Sequence, residues 1–385
     1  MGNTSSTSSH TLSVKLPKTC VFTNTNTEYY RIPALIYIED GDTQTVLAFA
    51  EKRKSQKDVD AKCLVIRRKT QQQDDQWEDV KEIEEASMVG YRTMNPCPVY
   101  EKQTKTVFLF FNCVSENVTE QQQINDCKNA ACLCYVKSTD RGQTWKDFTD
   151  LTKSVIGDEI KNWATFSVGP GHGIQMTNGR LIIPAYAYFI GSSCCCRPKS
   201  HSFAFYSDDR GDTWKYGNRI SDESGECEMA EITDGFLYCN ARRSKCCNWF
   251  NCCFRVEAWS QNNGIDFSMS TSCLCPCNVK LVETRGGCQG SVVSFKHGDK
   301  TWLLYSHPTD SSKRKDLGVY VNTSPSSSSG WNKPHIINSG VSGYSDLTQI
   351  SDTEDVFACL LERGNSKVEE IAFVKFTLKD IMPNN

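Results

Sequence analysis

One eight-residue motif occurs twice in this chain and constrains its fold more than any other feature. The pattern Ser-x-Asp-x-Gly-x-Thr-Trp spans residues 138–145 and 207–214, each time directly after a short run of alternating apolar residues. Its aspartate can accept backbone N–H hydrogen bonds, its glycine can adopt a positive φ, and its tryptophan can pack the turn onto a sheet. Residues 260–267 form a weaker third copy with asparagine in place of aspartate. The repeat predicts one β-turn recurring in successive blades of an all-β fold.

Short strand-like runs along the whole chain agree with this prediction. Turns rich in Gly, Asn, Asp and Ser separate them, which favours a propeller, barrel or sandwich over alternating βαβ units. Together with the repeated turn they favour a β-propeller, and only residues 116–131 resemble a helix. The runs cover residues 46–50, 63–67, 107–111, 132–136, 181–185, 203–206, 236–239, 255–259, 292–295, 302–306, 319–322, 356–361 and 371–376.

The composition favours a single domain. No Pro- or Gly-rich linker interrupts the middle of the chain, and the polar stretch 324–329 is too short to separate two globular units. No apolar run approaches the ~18 residues that span a bilayer, and we expect no signal peptide. The net charge of −3 argues against nucleic-acid binding. We therefore expect a flexible tail over residues 1–18 and one domain over residues 19–380.

The repeated motif matches the Asp box of sialidases, and other segments resemble that family in the same order along the chain. Because these matches run from about Thr19 to about Leu378, the chain resembles a vertebrate-type sialidase, closest in character to the cytosolic and plasma-membrane ganglioside sialidases. The resemblance implies a six-bladed β-propeller, whereas periodicity alone does not fix the number of blades. The segments are Tyr-Arg-Ile-Pro-Ala-Leu at 30–35, Met-Asn-Pro-Cys-Pro at 94–98, Val-Thr-Glu-Gln-Gln-Gln at 118–123, Pro-Ala-Tyr-Ala-Tyr at 184–188 and Tyr-Ser-Asp-Leu at 344–347.

Three arginines in family-matching segments predict an anion site: Arg31, Arg242 and Arg314. A planar guanidinium binds a carboxylate through paired charge-assisted hydrogen bonds that lysine does not reproduce. A single arginine is more often a solvated surface charge, but three in matching segments favour a ligand such as sialic acid, which carries a carboxylate on its anomeric carbon. Glu362 resembles the family's carboxylate that orients the first arginine, with a surface glutamate at a strand end as the alternative.

The resemblance assigns the catalytic tyrosine to Tyr344. A carboxylate nucleophile would be repelled by the substrate's own carboxylate, and a neutral phenol avoids this repulsion. Sialidases are the known tyrosine-dependent exception among glycosidases. A phenol with a pKa of about 10 needs a base to become nucleophilic. The family match favours Glu226 as this base over Glu228 and Glu231, although Glu226 and Glu228 would share one face of a strand.

The family's acid/base aspartate corresponds to Asp58, with Asp60 as the alternative. An acid in this role needs a pKa near the working pH, which partial burial provides. We therefore expect Asp58 to be partly buried beside the substrate, although both aspartates also fit a charged surface loop. The resemblance implies further contacts with the sugar, namely Ile32, Asn95, Glu120, Tyr186, Tyr188 and Gln289. The two tyrosines among them are also explained as core aromatics on a strand.

These assignments predict a retaining exo-α-sialidase that hydrolyses terminal sialic acid from gangliosides, glycoproteins and oligosaccharides. The arginines hold the carboxylate, Asp58 protonates the glycosidic oxygen, and Tyr344, deprotonated by Glu226, forms a transient covalent intermediate. We expect no metal and no organic cofactor. Two alternatives remain open, namely a propeller that binds sialoglycans without cleaving them and a trans-sialidase.

The N-terminus and the cysteines indicate where in the cell the protein is expected to lie. Met-Gly-Asn-Thr-Ser-Ser fits the N-myristoylation pattern at Gly2, with an unmodified disordered tail as an equal alternative. The 21 cysteines are expected to be reduced, and S-acylation explains their clusters at 194–196, 246–253 and 273–277 at least as well as zinc binding does. Since one myristoyl chain binds membranes only marginally, we expect two signals and a peripheral protein on the cytoplasmic face of membranes. A soluble cytoplasmic protein is the alternative.

Overall fold

The computed structural model describes residues 16–70, 76–191, 197–243, 254–269, 281–351 and 355–382. Gly2 and the three cysteine clusters lie outside the described residues. In the described ranges the chain consists mostly of antiparallel β-strands with two short α-helices, α1 (Glu120–Asp126) and α2 (Leu378–Ile381). No helix in these ranges is long and apolar enough to span a bilayer.

The strands follow one another along the chain with few interruptions. In chain order they are β1 (Lys18–Thr23), β2 (Tyr29–Asp40), β3 (Thr43–Arg53), β4 (Ala61–Thr70), β5 (Lys81–Glu82), β6 (Tyr91–Glu101), β7 (Thr106–Ser115), β8 (Ala131–Ser138), β9 (Lys146–Asp150), β10 (Trp163–Val168), β11 (Ile174–Gln175), β12 (Leu181–Phe189), β13 (Lys199–Ser207), β14 (Lys215–Tyr216), β15 (Cys227–Thr233), β16 (Phe236–Ala241), β17 (Val256–Ser260), β18 (Ser268–Met269), β19 (Ser291–His297), β20 (Lys300–Pro308), β21 (Lys315–Asn322), β22 (His335–Ser351), β23 (Val356–Arg363) and β24 (Glu370–Thr377).

Strands that are consecutive in sequence pair into antiparallel sheets. Strands β2–β5, β6–β9 and β15–β18 each form a four-stranded sheet, and β10–β14 form another in which β11 also pairs with β12. The remaining strands form one path in the order β1-β24-β23-β22-β21-β20-β19. Within it, the first part of β22 pairs with β21 and the second part, from Ser342 onward, pairs with β23. The N-terminal strand β1 therefore completes the sheet formed by the last strands of the chain.

The core lies between neighbouring sheets, which pack on one another in chain order. In β7, Phe108 and Phe110 pack toward β10–β13, whereas Leu109 and Phe111 pack toward β2–β4. Both faces of this strand are buried, which explains its unbroken apolar run, because side chains alternate between the faces of a sheet. The last sheet packs back against the first through contacts such as Leu360 against β2–β4. The result is an all-β fold with a propeller-like arrangement.

The predicted turn is present in all three copies of the motif. In the first copy, Asp140 Oδ1 accepts the backbone N–H groups of Gln143 and Thr144 at 3.0 and 2.9 Å, and Gly142 has φ +76°. Asp209 does the same with Thr213 N at 2.8 Å. In the third copy, Asn262 Oδ1 accepts Asp266 N at 2.9 Å. The asparagine therefore preserves the side-chain acceptor on which the turn depends.

The strand predictions are confirmed, and the predicted helix is present but shorter than its predicted segment. Each predicted run lies within a strand, except that the run 255–259 begins one residue before β17. Helix α1 occupies only the middle of the predicted segment 116–131. It begins with a reciprocal capping box between Thr119 and Gln122 and ends at Cys127 with φ +50°. Left-handed backbone at a C-cap terminates a helix, so the following residues are free to enter β8.

Candidate active site

A cavity of about 550 Å³ opens where the ends of strands from several sheets meet. Arg31 comes from β2, Asn95 from β6 and Tyr186 from β12, while Arg242 directly follows β16 and Arg314 directly precedes β21. The sequence-predicted residues in its lining are Arg31, Ile32, Asp58, Asn95, Glu120, Tyr186, Tyr188, Glu226, Arg242, Arg314 and Tyr344. The fold therefore collects these distant segments at one place.

Tyr344, Glu226 and Arg242 form a hydrogen-bonded group in the cavity. The Tyr344 hydroxyl donates to Glu226 Oε1 in a short hydrogen bond. Arg242 Nη1 donates to the other carboxylate oxygen of Glu226 at 2.8 Å and to the Tyr344 hydroxyl at 3.0 Å. Glu226 can thus take the phenol proton, while Arg242 stabilises negative charge on the Glu226 carboxylate or on the Tyr344 oxygen.

The other two arginines flank the ring of Tyr344. The Cζ atoms of Arg31 and Arg314 lie 5.7 and 5.3 Å from the ring centroid. Burial raises the pKa of Tyr344 well above its usual value, the charge of Glu226 raises it further, and Arg242 and Arg314 lower it. The resting phenol is therefore neutral, and it ionises only if its proton moves to Glu226 as it reacts.

Glu362 holds Arg31 from beneath the cavity. Its Oε1 accepts Arg31 Nε at 2.6 Å and the backbone N–H of Ile32 at 2.9 Å, and its Oε2 accepts Tyr344 N at 3.0 Å. Burial raises the pKa of Glu362, but Arg31 and these N–H groups lower it by more, so this fully buried carboxyl stays ionised. One carboxylate thus fixes both an arginine and the backbone of Tyr344.

Ile32 and Asn95 occupy equivalent β-bulges. Each precedes a proline, each has a positive φ (+62° and +57°), and the strand register shifts at both positions. A β-branched residue at positive φ is strained, and bulges are sites where proline is tolerated in a sheet. The Ile32 N–H is held by Glu362, and the Asn95 N–H donates to Glu51 Oε1 at 2.7 Å. Both bulges thus depend on a buried carboxylate.

Asp58 lies at the cavity rim in an ion pair. Its Oδ1 accepts Arg53 Nη1 at 2.6 Å, and Arg53 in turn pairs with the buried carboxylate of Glu51. The side chain of Asp58 is 76% exposed. The expectation of partial burial was therefore wrong, because Asp58 sits on a short turn beyond the end of β3.

Glu120 and the two tyrosines line another side of the cavity. Glu120 is in the first turn of α1, and Tyr186 donates to its Oε1 at 3.4 Å. Glu120 is open to solvent on the cavity side but is otherwise surrounded by protein. This burial, with the negative charge of Glu226, raises the pKa of Glu120 to about 7. The rings of Tyr186 and Tyr188 lie edge to face, 6.2 Å apart.

Gln289 and the rival carboxylates lie away from the cavity. The Gln289 amide is buried and engaged by Glu228, Pro170 O and Ser345 N, so the structure does not bring it to the other predicted contacts. Glu228 is fully buried and accepts from Ser291 and Val292. Glu231 binds Thr177, and Asp60 accepts from Ser55. Only Glu226 of the three glutamates contacts Tyr344.

Comparisons with known proteins agree with this arrangement. A BNR repeat-like domain model matches residues 44–357. Mouse Sialidase-3 is 44% identical over 92% of this chain and 92% of its own length, and mouse Sialidase-2 is 42% identical over 93% and 95%.

The chain belongs to the sialidase family.

It is a vertebrate-type sialidase and hence a glycoside hydrolase that acts on sialylated glycans. The solved structure of the Hadza microbial sialidase Hz136 superposes with a TM-score of 0.74 at 20% identity, covering 91% of this chain and 66% of that one. At that identity the likeness concerns the fold alone, and it supports the propeller-like arrangement described above.

Several residues at or beneath the sialidase cavity were missed from sequence. Arg53 and Glu51 hold Asp58 and Asn95, and Arg92 fixes the segment before α1 by donating to the carbonyls of Ser115 and Val118. Arg53 and Glu51 lie two residues apart at the end of β3, and both are buried. A charged pair on one face of an otherwise apolar strand was the signal that could have found them.

One buried cluster in the described part of this sialidase has metal-ligand side chains: His172, Glu228 and Asp346. Its ligand atoms already accept or donate hydrogen bonds. His172 Nδ1 lies 2.7 Å from Asp346 Oδ1, Asp346 Oδ2 accepts Leu35 N at 2.6 Å, and Ser291 Oγ contacts both carboxylates. The cluster joins several sheets, which favours a structural junction over a metal site.

Proposed function

We propose that this sialidase is a retaining exo-α-sialidase with Tyr344 as its nucleophile. The observation that carries the proposal is the hydrogen bond from Tyr344 to Glu226 within a ring of three arginines. A substrate carboxylate placed among Arg31, Arg242 and Arg314 would bring the anomeric carbon to the phenol oxygen. The neutral phenol approaches this anionic centre without charge repulsion.

The reaction has two steps with balanced proton transfers. In the first, the phenol oxygen bonds to the anomeric carbon, Glu226 takes the phenol proton, and Asp58 gives a proton to the departing glycosidic oxygen. In the second, Asp58 takes a proton from water, which attacks the anomeric carbon, and the phenol regains its proton from Glu226. Two inversions leave the released sialic acid with the α configuration of the substrate.

Asp58 is suited to the acid role by position. It lies on the cavity rim, where the aglycone of a substrate would emerge, and a bound sugar would cover its exposed carboxyl. Arg53 restrains the side chain through the ion pair at 2.6 Å. Loop residues held by a rigid strand end are frequent donors of catalytic groups.

We further propose that residues 19–380 form a single six-bladed propeller. The path that contains β22 divides at Ser342, because the strand changes its partner from β21 to β23 there. Counting the two parts separately with the other four sheets gives six groups. The pairing of β1 with β24 would then close the ring.

The proposed substrates are terminal sialic acids of gangliosides, glycoproteins and oligosaccharides. Mouse Sialidase-3 and Sialidase-2 support the sialylated class. We propose that the protein is attached peripherally to the cytoplasmic face of membranes through Gly2 and acylated cysteines. A soluble cytoplasmic protein remains the alternative.

The decisive experiment follows a 4-methylumbelliferyl α-sialoside by fluorescence and by proton NMR. Release of fluorophore with the α anomer as the first product supports the proposal. First appearance of the β anomer contradicts the retaining mechanism, and tight binding without release favours the sialoglycan-binding alternative. Sialylated lactose formed in excess lactose favours trans-sialylation. A 2,3-difluoro sialoside should label Tyr344, and mass spectrometry of the digested protein locates the label.

A further inference from the structure

A tight turn over residues 284–288 supplies the carbonyl oxygens that position two of the three arginines. Arg242 Nη2 donates to Gly286 O at 2.7 Å, and Arg314 donates to Gly287 O through Nε at 3.2 Å and Nη2 at 2.7 Å. Within the described residues, the hydrogen bonds of the Arg314 guanidinium go to this single carbonyl. The turn therefore determines where Arg314 points.

The turn requires glycine where Arg242 crosses it. Gly286 and Gly287 have φ of +79° and +75°, and Gly287 N donates to Thr284 O at 2.8 Å. A Cβ atom on Gly287 would lie 2.5 Å from Arg242 Nε. Left-handed backbone and close approach both favour glycine, so this turn is shaped around the arginine side chain.

Glu283 anchors both ends of the turn from below. Its Oε1 accepts Thr284 N at 3.0 Å and Cys288 N at 3.1 Å, and its Oε2 accepts Arg243 N at 3.1 Å. One fully buried carboxylate thus fixes the turn and the backbone next to Arg242 together. Cys288, at the end of the turn, also packs against Tyr344 and Ile32.

Glu283 is itself held by two buried side chains. Arg255 Nη1 donates to its Oε2 at 2.7 Å, and His307 Nε2 lies 3.0 Å from its Oε1. Burial alone raises the pKa of Glu283, but Arg255 and His307 lower it by more, so the carboxylate is ionised. Burial lowers the pKa of His307, which makes it a neutral N–H donor to Glu283. None of the three side chains lines the cavity.

We infer that Glu283, fixed by Arg255 and His307, is a positioning residue that sets Arg242 and Arg314 for substrate binding through the 284–288 turn. The inference rests on the proposed role of the arginines in holding the substrate carboxylate. Small misplacements of binding groups cost on the order of 10- to 100-fold in rate. Disturbing Glu283 should therefore lower kcat/KM without changing a residue that contacts substrate.

The first test compares Glu283→Gln with a matched control, Glu257→Gln. Glu257 is also a buried glutamate near the same strands, but it binds Tyr238 and Trp331 instead of the turn. We expect E283Q to lower kcat/KM by on the order of 10- to 100-fold per folded enzyme, mainly through KM, and E257Q to leave it within about twofold. Equal effects of the two variants would overturn the inference.

A double-mutant cycle with Arg314→Ala tests the route of the effect. If Glu283 acts through the arginines, E283Q should reduce kcat/KM less in the R314A background than in the wild type, because only the part of the effect that passes through Arg242 is left. Fully multiplicative losses would contradict this route. A separate comparison tests the arginines themselves. If they hold the substrate carboxylate, the wild-type enzyme should have a higher kcat/KM for a sialoside than for its methyl ester. Equal values would reject their role, whatever the result for Glu283.

A second pair of variants keeps the test decisive if E283Q does not fold. His307→Gln retains an N–H donor near the position of Nε2, whereas His307→Leu removes it. We expect H307Q to keep most of the wild-type kcat/KM and H307L to lose it, with both proteins checked by thermal unfolding. Equal kcat/KM for the two folded variants would overturn the inference, because the hydrogen bond to Glu283 would then have no effect on the site.

Discussion

The hydroxyl of Tyr344 donates a hydrogen bond to the carboxylate of Glu226, a residue 118 positions earlier in the chain. Tyr344 lies in β22, whereas Glu226 directly precedes β15, and Arg242 bridges the two side chains. Burial and the charge of Glu226 raise the pKa of Tyr344, so a free phenolate is disfavoured at rest. A nucleophile of this kind can react only when proton transfer accompanies bond formation.

Replacing Tyr344 with phenylalanine should remove turnover while preserving binding. The variant keeps the ring between Arg31 and Arg314 but lacks the oxygen that bonds to the anomeric carbon. We expect kcat for a 4-methylumbelliferyl sialoside to fall on the order of 10³-fold or more, with the affinity for free sialic acid nearly unchanged by calorimetry.

Thermal unfolding is the control for this variant. Glu226 keeps its ion pair with Arg242 at 2.8 Å, so the melting temperature should change little. A Tyr344→Phe enzyme with more than about a tenth of wild-type kcat would reject Tyr344 as the nucleophile, since neighbouring water cannot restore a lost covalent step at that rate.

Glu120→Gln should make the protein more stable at neutral and alkaline pH. The pKa of Glu120 is raised to about 7 by burial and by Glu226, so the folded state binds its proton more tightly than the unfolded state. Stability is therefore lost as the pH rises from about 4.5 to about 7. This loss in the free energy of unfolding is at most about 3 kcal/mol. Because solvent in the open cavity screens the carboxylate, we expect a loss of about 1 kcal/mol.

Urea unfolding at pH 4.5 and pH 8 measures this effect. The two proteins should be equally stable at the lower pH, and E120Q should be the more stable one at pH 8. Glu116→Gln is the control because Glu116 precedes α1 but does not line the cavity. A constant difference between E120Q and the wild type across this range would show that folding does not raise the pKa of Glu120.

Gly2→Ala tests the proposed membrane attachment. N-myristoylation requires glycine at this position, so the substitution should shift the protein from the membrane fraction toward the soluble fraction. The shift should be partial if acylated cysteines provide a second signal, because each chain contributes separately to binding. An unchanged distribution, with wild-type activity, would exclude myristate as an anchor.

The parts of the fold that depend on neighbouring residues could be predicted from the sequence alone. The turn motif and the alternating runs are local, and each is found in the structure because neighbouring residues alone determine a turn or a strand face. Arg53 and Glu51 were missed because their function depends on Asp58 and Asn95, which meet them only in the folded chain. Gln289 was misplaced for the same reason, since its buried partners come from three other segments.

Asp209 offers a test of the repeated turn, because the chain already contains its amide counterpart at Asn262. Asp209 is exposed, and the slight desolvation that raises its pKa is outweighed by hydrogen bonds from Thr213 and Ser207, which lower it. Its stabilisation is therefore present above the unfolded pKa of about 4 and is lost as the pH falls below it. Asp209→Ala should cost about 1 to 2 kcal/mol at pH 7, and Asp209→Asn less, since asparagine keeps the acceptor as in the third copy.

Urea unfolding of both variants at pH 7 and pH 3 measures these differences. The gap between the wild type and D209A should shrink at pH 3, which lies below the unfolded pKa of about 4, because the unfolded chain takes up the proton first. The gap between D209N and D209A should not depend on pH. Activity per folded enzyme should stay at the wild-type level, because Asp209 does not line the cavity. If D209N were as unstable as D209A at pH 7, the charge of the aspartate and not its acceptor geometry would hold the turn, and the third copy would then need another source of stability.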